Sequence, residues 1–118
     1  MRDENIAKAI STTLVSFFSC ASPPMCIVKS MLGFVEELVD FKKSDKEAEN
    51  MILIQEGCLK LRRKLGKLVI KRGGNAIISY RQVLDNEGEK SKRIVIRGYG
   101  TAASIMPLDS EECSLPIQ

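Results

Sequence analysis

The sequence predicts an α/β (α+β) fold in which an antiparallel sheet of three to four strands packs, as two layers, on one long amphipathic helix. Three observations support this prediction. Apolar residues recur at helical spacing through residues 46–71, and Gly73, Gly74 and Asn75 follow. Apolar and polar residues alternate in the two segments after the helix, and β-branched and aromatic residues are frequent in the segments before it.

The N-terminal part contains two short predicted elements. Residues 1–13 have apolar residues at helical spacing and are predicted as a short terminal helix. Residues 14–20 (LVSFFSC) are β-branched and aromatic, which predicts a short strand. Pro23 and Pro24 stop this strand.

Residues 26–41 (CIVKSMLGFVEELVDF) are predicted as the second strand. A helix is the alternative, because part of the segment also fits a period of 3.6 residues. Gly33 in the middle of the segment and the β-branched residues around it favour the strand. One face of this strand is predicted to carry Ile27, Met31, Gly33, Val35 and Val39.

The helix is predicted from Lys46 because apolar residues follow the i, i+3, i+4 rule for more than four turns. Either Ser44 or Asp45 is expected to cap its start. Gly73 and Gly74 supply the left-handed residue that ends it. The stripe that faces the core is predicted to consist of Ile54, Cys58, Leu61, Leu65, Leu68 and Val69.

Residues 76–84 and 92–105 are predicted as two strands of a hairpin, joined by a polar turn at residues 85–89 in which Gly88 provides a positive φ. Small residues on one face of the last strand are expected to let the helix approach the sheet closely. That face carries Ile94, Ile96, Gly98, Gly100 and Ala102.

The composition excludes several kinds of active site. The 118 residues include no His and no Trp, so the usual general base and the commonest metal ligand are missing. The four cysteines have no C-x-x-C spacing, which argues against zinc. Their even number permits two disulfides, but we expect reduced thiols in a cytosolic protein. A net charge of +3 does not indicate a nucleic-acid partner.

The first residues do not favour a secretion signal. Asp3 and Glu4 stand beside Arg2 and Lys8, so the N-terminal region is not clearly positive. No apolar run approaches the roughly 18 residues that a membrane-spanning helix requires. We therefore expect a soluble protein in the cytoplasm.

Residues 98–103 (GYGTAA) match the dinucleotide-binding pattern G-x-G-x-x-A. That pattern requires a helix N-terminus directly after the glycines, so that backbone N–H groups face the pyrophosphate. Here the match lies in a predicted strand, and Pro107 follows. Close packing explains the glycines better, and we expect no cofactor.

Basic residues gather on the helix face opposite the apolar stripe. This face is a candidate surface for anionic lipid headgroups or phosphates, because each basic residue near an anionic membrane contributes about 1 kcal/mol. A solvated helix face is the usual meaning of such a pattern, and the face lacks an aromatic residue that would insert into a membrane. The candidate residues are Lys60, Arg63, Lys64, Lys67 and Lys71.

Acidic residues form two groups, Glu36 with Glu37 and those at positions 45–49. A carboxylate pair or a divalent-ion site is conceivable, but the calcium-loop pattern D-x-[DN]-x-[DN]-G is missing. A solvated edge explains both groups. Because the Ser and Thr residues have no histidine partner, we expect no catalytic residue and no metal site.

The segments GFVEELV, LRRKLGKLVIKRGGNAIISY and VIRGYGTA, in this order and spacing, resemble the YbjQ-like domain family. The resemblance is greatest to the YbjQ-like domain of C2 domain-containing protein 5, and it covers residues 17–108. It divides the chain into an N-terminal extension (1–13), a YbjQ-like domain (14–108) and a polar tail (109–118). It implies an antiparallel sheet with one main helix and, as in bacterial relatives that form ring-like oligomers, self-association.

The resemblance also implies a role for the larger protein, which binds phospholipid with calcium and assists insulin-stimulated delivery of glucose-transporter vesicles to the plasma membrane. This chain departs from that protein because it has no C2 domain and no aspartate-rich loops, so calcium cannot be assigned to any residue here. We therefore expect a non-enzymatic interaction or assembly module in vesicle trafficking and exocytosis. Protein partners, self-association and peripheral contact with anionic membranes are expected. The alternative is an oligomeric small-ligand or anion-binding protein of the YbjQ type.

Overall fold

One helix packs on a curled four-stranded sheet in the computed structural model, which describes residues 15–85 and 92–108. The order of the strands across the sheet is β1-β3-β4-β2. Pairing of β4 with both β2 and β3 is antiparallel. The elements are β1 (Ser16–Phe17), β2 (Cys26–Lys42), α1 (Glu47–Lys71), β3 (Ala76–Asp85) and β4 (Arg93–Pro107).

The prediction of an antiparallel sheet is wrong for β1, which pairs with β3 in parallel. Parallel neighbours require a long crossover connection, and here β2 and α1 together provide it. The backbone N–H of Ser16 donates to the Asn75 carbonyl, and that of Phe18 to the Ile77 carbonyl. β1 is two residues long, much shorter than the predicted strand at residues 14–20.

β2 confirms the strand prediction over the helix alternative, but the predicted apolar face is only partly correct. Val35 and Val39 are buried, whereas Met31 is 62% exposed and Ile27 is also exposed. The backbone of Gly33 has φ +99°, and the pairing with β4 shifts register on both sides of Met31. Such irregularities change the side of the sheet on which the following residues lie.

The start of α1 is stabilised differently from the prediction. Its N-cap residue is Lys46, without a side-chain cap, so the predicted caps Ser44 and Asp45 are wrong. Instead, Asn50 Oδ1 accepts from the Ser44 backbone N–H at 2.7 Å, and Asn50 Nδ2 donates to the Ser44 carbonyl at 2.9 Å. The helix ends as predicted at Gly73, whose φ of +83° is in the left-handed region.

The core lies between α1 and β4. Leu61, Leu65 and Val69 are fully buried, and the other three residues of the predicted stripe pack partly buried around them. Gly98 in β4 makes this contact possible. A Cβ atom on Gly98 would lie 2.6 Å from Tyr80 Oη and 3.0 Å from the side chains of Leu61 and Leu65. The prediction that small residues in the last strand admit the helix is confirmed at this position.

Three predicted segments fall wholly or mostly outside the described residues. They are the terminal helix at 1–13, the polar turn at 85–89 beyond its first residue, and the tail at 109–118. Asp85 itself is the last residue of β3.

Truncation of the helix core should destabilise the protein strongly. Leu65→Ala removes a side chain that is 0% exposed, and we expect the free energy of unfolding to fall by about 2–5 kcal/mol. Leu59→Ala makes the same change on the same helix where the side chain is 58% exposed, and it should cost less than about 1 kcal/mol. Urea unfolding of both variants measures the difference, and equal losses would contradict the assigned orientation of α1.

Candidate functional site

The basic stripe, which comprises Lys60, Arg63, Lys64, Lys67 and Lys71, lies on the exposed side of α1 as predicted. The structure therefore brings the five candidate side chains onto one surface. At about 100° per residue, they occupy a sector turned away from Leu61 and Leu65. Within the described residues, no hydrogen bond or ion pair engages Lys60, Arg63, Lys67 or Lys71.

Lys64 differs from the other four members of the basic stripe. Its Nζ donates to the Leu38 carbonyl at 3.2 Å and lies 3.8 Å from Glu37 Oε2. Lys64 is half-exposed and joins α1 to the edge strand β2. Lys64 therefore makes a structural contact with β2, whereas the sequence pattern did not distinguish it from the solvated lysines.

Arg72 extends the basic surface at the end of α1, although sequence analysis did not select it. Its Nη1 donates to the Phe34 carbonyl at 2.8 Å and to the Leu32 carbonyl at 3.3 Å. Both acceptors are in β2, at the edge of the sheet. Cations on these carbonyls reduce the ability of the edge to pair with another strand. Arg72 follows Lys64 by eight residues, which is close to two full helical turns. This spacing in the sequence could have linked the two side chains.

Exposed aliphatic residues adjoin the basic stripe. Leu59 and Ile70 are exposed, and helical spacing places Leu59 beside Arg63 and Ile70 beside Lys67. The surface of α1 therefore combines exposed cations with apolar side chains at its border. Anionic surfaces that also have an apolar layer attract this combination, even without an aromatic residue.

A second polar cluster lies between α1 and the part of the sheet where β1 meets β3. Tyr80 Oη donates to Gln82 Oε1 at 2.8 Å, and Gln82 Nε2 donates to Cys58 Sγ at 3.2 Å. Arg62 stacks over Phe17, with its Cζ 5.2 Å from the ring centroid. Burial raises the pKa of Tyr80, although Arg62 opposes the shift. The cluster satisfies its own polar groups and offers no nucleophile–base pair.

The remaining predicted candidates form no site within the described residues. Residues 98–103 lie inside β4, without the helix that the dinucleotide pattern needs. The described cysteines, which are Cys20, Cys26 and Cys58, are free thiols. Glu37 pairs with Lys64, and no group of three metal-ligating side chains occurs among residues 15–85 and 92–108. In the same part of the chain, no helix is both long and apolar enough to cross a membrane.

In the part of the chain that the structure describes, two surface depressions adjoin α1, and neither resembles an enzyme pocket. One, of about 180 Å³, is lined by Asp40, Glu56 and Lys60 together with apolar residues. The other, of about 300 Å³, is lined by Lys43, Glu47 and Asn50 together with apolar residues. Ligand pockets usually measure about 300–1,000 Å³ and bring several polar groups together. We assign no catalytic role to either depression.

The order of the helix and the strands along the chain matches a known protein family. The family model of the YbjQ-like domain of C2 domain-containing protein 5 matches residues 10–107. The match includes β2, α1, the glycines that follow the helix (Gly73 and Gly74), and the β3–β4 pair. The chain belongs to this YbjQ-like family. The resemblance expected from the sequence segments is thereby confirmed.

Curated relatives of this YbjQ-like chain carry the same name. C2 domain-containing protein 5 from Homo sapiens and from Mus musculus are each 33% identical over 117 residues, which is 86% of this chain. The protein of that name from Xenopus tropicalis is 32% identical over 81% of the chain. The aligned part is 11% of the length of each relative, so this chain matches one module of much larger proteins.

A solved structure supports the YbjQ-like fold independently. A protein of unknown function from Pediococcus pentosaceus, a member of the DUF74 family, superposes with a TM-score of 0.62. The alignment covers 78% of this chain and 98% of the other, at 17% sequence identity. At that identity the likeness shows the shared fold of helix and sheet alone.

Alkaline pH should destabilise the native state through Tyr80. Because burial raises its folded-state pKa, the native chain retains a proton that the unfolded chain releases at the ordinary tyrosine pKa of about 10. The free energy of unfolding should therefore fall as the pH rises from the unfolded pKa to the folded one. Urea unfolding at several pH values in this window measures the slope.

Two phenylalanine variants test whether Tyr80 causes this dependence of stability on pH. Tyr80→Phe should remove the extra loss of stability in this pH window. Tyr99→Phe, which removes the other tyrosine of the chain, should retain it. Identical slopes for the native chain and Tyr80→Phe would contradict the assignment.

Proposed function

We propose that this chain is a non-catalytic interaction module that contacts anionic membrane surfaces through the basic stripe of α1. The observation that carries the proposal is the set of four cations, Lys60, Arg63, Lys67 and Lys71, that no described residue engages. Free cations on one helix face keep their full attraction for phosphate groups. Leu59 and Ile70, which border them, add apolar area at the same surface.

The relatives support a proposal for the place of this module in the cell. The relatives are named for a C2 domain, and this chain matches 11% of their length. We propose that the module acts in vesicle trafficking and exocytosis, in the cytoplasm and at the inner surface of the plasma membrane or vesicles. In this role the basic stripe would add a weak, calcium-independent membrane contact to whatever other contacts the assembly makes.

Co-flotation with liposomes tests the membrane contact. The full chain should float with vesicles of phosphatidylcholine and phosphatidylserine, or with added phosphoinositide, and should remain at the bottom with phosphatidylcholine alone. Binding should weaken as salt rises from low to physiological ionic strength, because the Debye length shortens to about 8 Å. Failure to float with any anionic vesicle at low salt would overturn the lipid proposal.

Charge reversal within the basic stripe should abolish the flotation. Arg63→Glu with Lys67→Glu removes two attractive charges and adds two repulsive ones. At about 1 kcal/mol per charge, binding should fall at least about 30-fold. The matched control is Lys42→Glu with Lys46→Glu, which makes the same change in net charge at exposed positions outside the stripe. Equal losses in the two variants would indicate a net-charge effect and not a binding surface.

The same free cations favour a second candidate function, the binding of a small soluble anion. In that case the YbjQ-like chain would act as an oligomeric anion-binding protein. Isothermal titration with inorganic phosphate and with a soluble inositol phosphate separates the two functions. Saturable binding of the soluble anion by the native chain, lost in Arg63→Glu with Lys67→Glu, together with no flotation, would favour this candidate.

A further inference from the structure

The end of α1 that carries Lys67 and Lys71 adjoins strand segments without acidic residues. Residues 15–35 and 93–108, which contain the parts of β2 and β4 that contact this end of the helix, include no Asp and no Glu. On the helix itself, the preceding acidic residue is Glu56, about 16 Å before Lys67 at 1.5 Å per residue. The described surroundings therefore supply no carboxylate to these two lysines.

The last strand leads the chain to the same end of α1. Asn75, which follows the helix, is hydrogen-bonded twice to Ile105: Nδ2 donates to the Ile105 carbonyl at 3.0 Å, and Oδ1 accepts from the Ile105 N–H at 2.8 Å. The Asn75 backbone N–H also donates to the Ala103 carbonyl at 3.0 Å. β4 is thereby fixed beside the end of the helix, a few residues before Leu108.

The segment that follows Leu108 carries the carboxylates that its surroundings lack. Residues 109–118 (DSEECSLPIQ) contain no Lys and no Arg, and their acidic residues are Asp109, Glu111 and Glu112. The chain thus places a short acidic segment directly after the strand that is fixed beside the basic end of α1.

The length of this segment allows its carboxylates to reach the helix. Because Asn75 contacts Ile105, the path from Leu108 to Lys71 consists of three residues of strand and four residues at the end of α1. At 3.3–3.6 Å per residue, these stretches span at most about 25 Å, and less where the chain is helical. Glu112 extends up to about 14 Å from Leu108. The long side chains of lysine and glutamate bridge the remainder.

We propose that residues 109–112 fold back onto the basic stripe, where their carboxylates contact Lys67 and Lys71 and compete with anionic membranes for these cations. The inference rests on the proposed function, since it concerns the regulation of the same surface. Charge complementarity selects this occupant. The carboxylate of the described chain that lies closest to the stripe across the sheet, Glu37, is already engaged by Lys64 at 3.8 Å.

The strength of this contact suits a competitor that a membrane can displace. Ion pairs between exposed side chains are individually weak and are screened by salt. A short tether nevertheless gives the acidic segment an effective concentration of about 1 mM at the stripe. A membrane with a low density of anionic lipid would be excluded, whereas a membrane with a high density would displace the segment. The acidic segment therefore sets a threshold of surface charge for binding.

Zero-length carbodiimide cross-linking tests the contact without any lipid. In the native full chain at low salt, amide bonds should form between a carboxylate of residues 109–112 and the Nζ atom of Lys67 or Lys71, and peptide mass spectrometry locates them. The yield in the monomer should not depend on protein concentration. It should fall several-fold at 1 M salt, where the Debye length is about 3 Å. Lys42 and Lys46, near the start of α1, are internal controls and should form no link to this segment.

Co-flotation with liposomes tests the competition. Neutralisation of the segment by Asp109→Asn, Glu111→Gln and Glu112→Gln should tighten binding to phosphatidylserine vesicles by about 30-fold, because two cations regain their attraction for the surface. It should also lower the phosphatidylserine content that binding requires.

A matched variant controls for net charge. Glu36→Gln, Asp45→Asn and Glu47→Gln change the net charge equally at exposed positions. This variant should tighten binding far less, because its substitutions lie away from Lys67 and Lys71.

The two measurements separate the inference from the proposed function. Absence of cross-links from residues 109–112 to Lys67 and Lys71 at low salt would overturn the inference, whatever the vesicles show. Equal gains in flotation for the segment variant and its matched control would also overturn it, because net charge would then explain the effect. Cross-links at low salt without flotation of any variant would leave the contact in place and overturn the lipid proposal alone.

Discussion

Close contact between α1 and the small residues of β4 is the constraint on which the other features depend. Leu61 and Leu65 reach the sheet because Gly98 has no side chain, and Tyr80 occupies the adjoining space. This contact fixes the rotation of the helix about its axis. Once the leucines face the sheet, helical geometry directs the basic residues of the same turns toward solvent. The basic stripe is therefore a consequence of core packing as well as of composition.

The edge of the sheet shows how the helix also controls association. β2 is a long edge strand, and such strands present backbone groups that promote pairing with other chains. Lys64 and Arg72 cover three of its carbonyls, those of Leu38, Phe34 and Leu32. Association through this edge is thereby disfavoured. The opposite face of the sheet has no comparable cover from α1, and it combines apolar exposure with balanced charge.

The helix side and the sheet side of the fold differ in the side chains that they expose. The helix side holds free cations bordered by Leu59 and Ile70, which suits an anionic membrane. The sheet side holds Arg81 on β3 and Glu36 on β2, with Tyr99 between them.

The sequence by itself determined the helix, its core residues Leu61, Leu65 and Val69, and the antiparallel β3–β4 pair. Periodicity and glycine placement are local properties of the chain, so the sequence alone reveals them. It also identified the YbjQ-like family and the basic stripe. Only the tertiary structure decided that β1 pairs in parallel, and that Gly33 and the register shifts leave Met31 exposed. It also decided that Lys64 contacts β2 while Lys67 remains free. It alone placed Arg81 and Glu36 in one row, because strand register depends on contacts between residues distant in sequence.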